Sequence, residues 1–105
     1  MKDRQRQKLR DKPTRGASGV VINKAIYYLD SAAKKDALSA DYFHALSEGY
    51  GFIFSLQFTK DASGDPYFTH AEVEAMLAKL EAGNGFWDRT VDELEEMEAE
   101  IAAKL

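Results

Sequence analysis

The chain contains no cysteine, which excludes a disulfide framework, a thiolate metal site and a thiol nucleophile, and leaves the redox compartment open. It also lacks G-x-S-x-G and any glycine-rich phosphate loop, since Gly49-Tyr50-Gly51 falls inside a helical stretch rather than between strand and helix. No enzymatic activity is therefore expected. No segment shows the strict alternation of a half-buried strand; FIFSLQF imitates one briefly, but the helical residues on either side decide for helix. The longest apolar run, residues 41–58, holds His44, Glu48 and two glycines, so no membrane span is expected. The opening MKDRQRQKLRDK places charges where a signal peptide carries its apolar core, so no export signal is expected in this chain.

At 105 residues the chain is one domain or a piece of one, large enough to bury about two thirds of the surface its unfolded form exposes. Its net charge of -4 hides an asymmetry: residues 1–15 hold seven Lys/Arg against two Asp, leaving seven basic and sixteen acidic groups for the rest. A basic arm, residues 1–16, thus precedes an acidic body, residues 17–105. The arm offers almost nothing to bury and is expected to fray. It interleaves no aromatic side chain for base stacking, and the acidic body would repel a polyanion, so nucleic acid is not an expected partner.

Pro13-Thr14-Arg15-Gly16 is a break, and over residues 17–35 the spacing of Ile22, Ala25, Ile26, Leu29 and Ala33 predicts an amphipathic helix, with Asn23, Lys24, Asp30 and Lys34 opposite. Ser39 is a suitable N-cap for a second helix over residues 41–58, and the short connection makes the two antiparallel. This second helix is apolar on almost every side, which predicts a central position, with Phe43, Leu46, Tyr50, Phe52, Ile53, Phe54, Leu56 and Phe58 in the core. Gly49 and Gly51 weaken it by about 1 kcal/mol each, a cost that close approach of another backbone explains. Gly51 and Ser55 are expected at such close-packing positions.

Residues 59–68, TKDASGDPYF, form a loop. Thr69 with Glu72 makes a capping box before the stripe Val73, Met76, Leu77 and Leu80, which Gly83 can close. Residues 83–90 turn the chain, with Phe86 and Trp87 as an apolar plug. Thr90 with Glu93 then caps a last helix that carries Val91, Leu94, Met97, Ile101 and Leu105 on one side and Glu95, Glu96, Glu98 and Glu100 on the other. The predicted architecture is all-α: an up-and-down bundle of four main helices behind a weak basic N-terminal segment.

Two constellations could carry chemistry. Counting from Asp61, the residues Ser63, Asp65, Tyr67, Thr69 and Glu72 occupy the third, fifth, seventh, ninth and twelfth places of a calcium-binding EF-hand loop. Pro66 stands where the sharp turn calls for glycine, and a turn at Asp65-Pro66 plus a capping box explains the same residues without a metal. Both accounts stand open on the sequence. His44 and Glu48 lie one helical turn apart and are read as a buried polar pair, satisfied by tyrosine hydroxyls such as Tyr27, Tyr28, Tyr42 or Tyr50, or else as part of a binding or metal-assisted catalytic site completed by a third group.

The blocks NKAIYYLD, ALSEGYGFIFSLQF, DPYFTHAEVEAML and GNGFWD resemble the C-terminal part of the imelysin-like bacterial envelope proteins grouped as domain of unknown function 4856, over about residues 17–105. The resemblance implies a helical, exported, lipid-anchored protein of the cell envelope or periplasm, associated with iron uptake. It would make the chain a binding or scaffolding module whose partner is an unknown ligand or envelope protein. Imelysin's own signature, G-x-H-x-x-E, is absent: His44 and Glu48 are four apart, with Tyr42 and Phe43 before the histidine. No metal ligand or peptidase activity is carried over, and calcium at residues 61–72 remains the alternative. A detached domain of this kind would expose an apolar face, which makes a homodimer an expected form.

Overall fold

A computed structural model describes residues 16–105; the expected arm lies outside the described residues apart from Gly16. Among the described residues there are four helices, α1 (Gly16–Lys34), α2 (Ala40–Ser55), α3 (His70–Glu81) and α4 (Val91–Ala102), with 3-10 turns at Leu56–Phe58 and Gly85–Asp88. The all-α expectation holds. The one β-type pairing among them is an isolated bridge between Lys60 and Pro66.

α1 turns Gly19, Ile22, Ala25, Ile26, Leu29 and Ala32 inward at helical spacing. After a five-residue connection in which Leu38 adopts φ 60°, Ser39 caps α2 by accepting the Tyr42 amide at 3.1 Å. The two helices are antiparallel: Tyr28 stacks on Phe52 at 5.6 Å, and Ser18 at the start of α1 accepts the Lys60 amide at 2.9 Å. Gly49 is the seam between them, because a Cβ there would sit 3.3 Å from the Tyr28 Cβ and 3.8 Å from the Leu29 nitrogen. α3 packs on α2, α4 packs on α1, and the ion pairs Lys79–Glu100 (3.6 Å) and Glu72–Lys104 (2.6 Å) tie α3 to α4 in antiparallel register. The core at their junction includes Ile26, Leu29, Leu46, Ile53, Leu56, Phe68, Met76, Leu80, Leu94 and Ile101.

Both capping boxes form: Thr69 and Glu72 exchange bonds of 3.1 and 2.8 Å, and Thr90 and Glu93 bonds of 3.2 and 2.8 Å. Four expectations are corrected. α2 is not enclosed on all sides; it leans on α1 and α3 and leaves its outer face in water, with Phe54 47% and Phe58 67% exposed. Gly51 has open space where its Cβ would be and is no packing seam, and Ser55 instead donates to the Gly51 carbonyl at 3.1 Å. On α4, Glu98 is fully buried while Val91 is 52% exposed. Position 98 is one turn from Leu94 and from Ile101, so the helical period carries it into the apolar stripe. Asp30 likewise turns inward on α1, where Lys34 pairs with it at 3.2 Å.

Candidate functional site

The loop with EF-hand spacing is organised by its own backbone. Asp61 accepts the Ser63 and Asp65 amides at 2.8 and 3.0 Å, and its own amide donates to the Asp65 carbonyl at 2.8 Å. The left-handed residue is Gly64, at φ 85°, two places before Pro66. Pro66 therefore does not make the sharp turn; it sits in the bridge with Lys60. Glu72, the twelfth place, has one carboxylate oxygen on the Thr69 amide and the other on Lys104. The Lys104 bond first, and the Thr69 amide second, hold its carboxyl below the usual range. Tyr67 is half-buried against the core. The structure thus draws Asp61, Ser63 and Asp65 into one tight turn and commits Glu72 elsewhere. Among the described residues no group of three His, Asp or Glu side chains is placed to hold a metal ion.

His44 and Glu48 both lie exposed on the outer face of α2. The buried polar pair is a correction: the line 44, 48, 51, 55 is the solvent edge of the helix, opposite Tyr42, Ala45, Gly49 and Ile53. None of the tyrosines expected as partners bonds to either residue. Tyr42 donates its hydroxyl to the Phe86 carbonyl at 2.8 Å, and burial pushes its phenol up against a smaller opposing effect of Arg89. Burial first, and then the neighbouring Glu81 carboxylate, raise the Tyr50 phenol above its ordinary value.

The turn between α3 and α4 is built around Arg89, whose side chain is 7% exposed. Its guanidinium donates to the carbonyls of Gly85 (3.2 Å), Ala82 (2.8 Å) and Lys79, and pairs with Glu93 at 3.3 Å. It thereby satisfies the free carbonyls at the end of α3 and fixes the start of α4. Asp88 accepts the Asn84 amide at 2.8 Å, and Gly83, at φ 62°, leaves room for that carboxylate, which a Cβ would meet at 2.4 Å. Nothing in the local sequence marks Arg89; a single basic residue between a helix end and a capping box is the faint signal available.

Held by this turn, Phe86 packs beside Tyr50 in the wall of a shallow, open cleft of about 480 Å³ lined by Ser47, Tyr50, Leu80, Glu81, Asn84, Gly85 and Phe86. The two rings lie 6.1 Å apart, inclined at 60°. An apolar wall with a few converging polar groups is the usual make-up of a ligand site. Two other hollows are present, one of about 260 Å³ between α3 and α4 floored by Leu80, Leu94 and Met97, and one of about 200 Å³ beside Leu38, Trp87 and Val91. The last is rimmed by exposed apolar side chains, with Trp87 64% exposed and resting on Phe43 at 4.9 Å.

Fold and cleft together define a small all-α bundle with an aromatic-walled recess at the α2–α3 junction. A family model described as domain of unknown function DUF4856 matches residues 3–105, and the chain belongs to that family. The match begins inside the basic arm, so the family includes residues that the sequence expectation placed outside the bundle. No curated protein and no solved structure matches the chain. Among the described residues, no helix is long and apolar enough to cross a membrane.

Proposed function

We propose that this chain is a non-enzymatic helical binding module, working at its α2–α3 cleft as part of an imelysin-like envelope protein. The observation that carries the binding role is the cleft itself: Tyr50 and Phe86 wall it, Ser47, Glu81 and Asn84 converge on it, and Arg89 and Tyr42 hold its far side in place. Such preorganisation lowers the ordering cost of binding. The envelope setting and the link to iron uptake rest on the family resemblance alone.

A ligand-observed magnetic resonance screen of small polar and aromatic fragments tests the binding role. Binders should compete with one another and shift the amides of residues 47, 50 and 81–86, and Phe86→Ala should weaken them at least tenfold while the fold is retained. A screen whose binders all map outside these residues overturns the proposal. Fractionation of cells expressing the complete protein tests the envelope setting, and recovery in the cytosol would remove it.

A further inference from the structure

We propose, resting on the cleft as the binding site, that its ligand presents a cation: an alkylammonium or guanidinium group on a short apolar stem. Four observations point the same way. Glu81 is the one formally charged side chain lining the cleft, and no basic side chain lines it. Glu74 adds to the negative field felt at Tyr50.

The polar groups also converge as acceptors. The Tyr50 hydroxyl lies beside the Glu81 carboxylate on the cleft wall and has lone pairs to offer. Asn84 uses its amide NH2 on Asp88 at 3.4 Å, which leaves its Oδ1 to accept. A cationic nitrogen, carrying only donors, matches that set; a carboxylate or phosphate does not.

Third, Leu80 and Glu81 are the last turn of α3, the negative end of its dipole. Arg89 covers the Lys79 and Ala82 carbonyls at this terminus and offsets part of that dipole, which leaves the Glu81 carboxylate as the main negative charge on the cleft. Fourth, the rings of Tyr50 and Phe86, packed on each other at 6.1 Å, give the cleft an apolar wall for the stem. The surrounding body, with sixteen acidic against seven basic residues beyond position 15, favours the approach of such a group.

The test is amide chemical-shift titration of the whole chain with agmatine, with the smaller neutral alcohol 1-pentanol and with valerate, at low and at physiological salt. Agmatine should shift residues 47, 50, 81 and 84–86, bind at least tenfold better than the alcohol, and weaken with salt; valerate should leave them unmoved. Glu81→Gln should cost about tenfold in agmatine affinity at unchanged melting temperature, Glu81 being exposed. Tyr50→Phe, which keeps the ring, should cost less. A short arginine-containing peptide distinguishes the sources: tighter binding than agmatine assigns the cation to a polypeptide side chain, equal binding to a free amine. Equal binding of pentanol, or preference for valerate, overturns the cation while leaving the cleft as a site. Failure of all probes, together with a fragment screen that maps elsewhere, removes both.

Discussion

The two hairpins of the bundle are joined by different means. α1 and α2 meet backbone to backbone at Gly49, with Tyr28 stacked on Phe52 over the seam. α3 and α4 are joined through long side chains, Lys79 to Glu100 and Glu72 to Lys104, and by the Arg89 clasp at their turn. The three hollows described above each include residues of the second hairpin or its turn. Close apolar packing leaves no room for a ligand, whereas helices held apart by charged side chains and a polar turn leave recesses between them. The first hairpin is therefore the tightly packed part, and the second opens the recesses that the two share.

Breaking the second hairpin at its clasp should have the largest effect. Arg89→Ala takes from the carbonyls of Lys79, Ala82 and Gly85 the one side chain that joins them, and for three charge-assisted bonds we expect a loss of about 3 kcal/mol in stability by urea unfolding. Hydrogen exchange should speed up across the turn and α4 before α1 and α2. Uniform acceleration through all four helices would mean that the hairpins are not distinct in this way. Arg89→Lys should recover little, because a point charge cannot span three carbonyls.

The first hairpin is tested at its seam. Gly49→Val brings a branched side chain against Tyr28 and Leu29, and an overpacking cost of about 2 kcal/mol is expected. Gly49→Ala should be close to neutral, since a contact of 3.3 Å needs a shift of only a few tenths of an ångström while alanine gains about 1 kcal/mol of helix propensity. At Gly51, which faces open space, alanine should stabilise. Equal responses at the two glycines in a thermal melt would dissolve the seam.

These two glycines also show what could be read from the sequence. Residues two apart on a helix point about 200° away from each other, so only one of Gly49 and Gly51 can meet a neighbour, and the pattern alone does not say which. Elements set by local chemistry were legible: both Thr-x-x-Glu boxes, the Ser39 cap and the stripe Val73, Met76, Leu77, Leu80 all stand as expected. The density of aromatics in α2 misled, because Phe54 and Phe58 are exposed, and hydrophobic character gives no direction without the helical period. Glu98 was misplaced by its company of glutamates, although its spacing from Leu94 and Ile101 puts it inside. The cleft was out of reach because Tyr50 and Glu81 meet only through the packing of α3 on α2. Its wall residue Phe86 was legible merely as part of an apolar plug.

The smallest effects concern Glu72, the residue on which the EF-hand spacing depends. Its carboxyl is held below the usual value of 4.5 by Lys104 first and by the Thr69 amide, so the ionised form is favoured by folding. The stability it contributes is complete above the unfolded value and is lost as pH falls below about 4.5 through the lower folded one. Glu72→Gln should therefore flatten the acid limb of a melting-temperature profile and leave the neutral region little changed, since the group is exposed and its pair with Lys104 is screened. A calcium ion at the loop would need this same carboxylate to leave both partners, while Asp61 is already engaged by two amides. Millimolar calcium should accordingly leave the melting temperature of the parent protein within about 1 °C. A calcium-dependent rise that vanishes in Glu72→Gln would show that the second hairpin can exchange its Lys104 tie for a metal, and would make the loop, rather than the cleft, its working part.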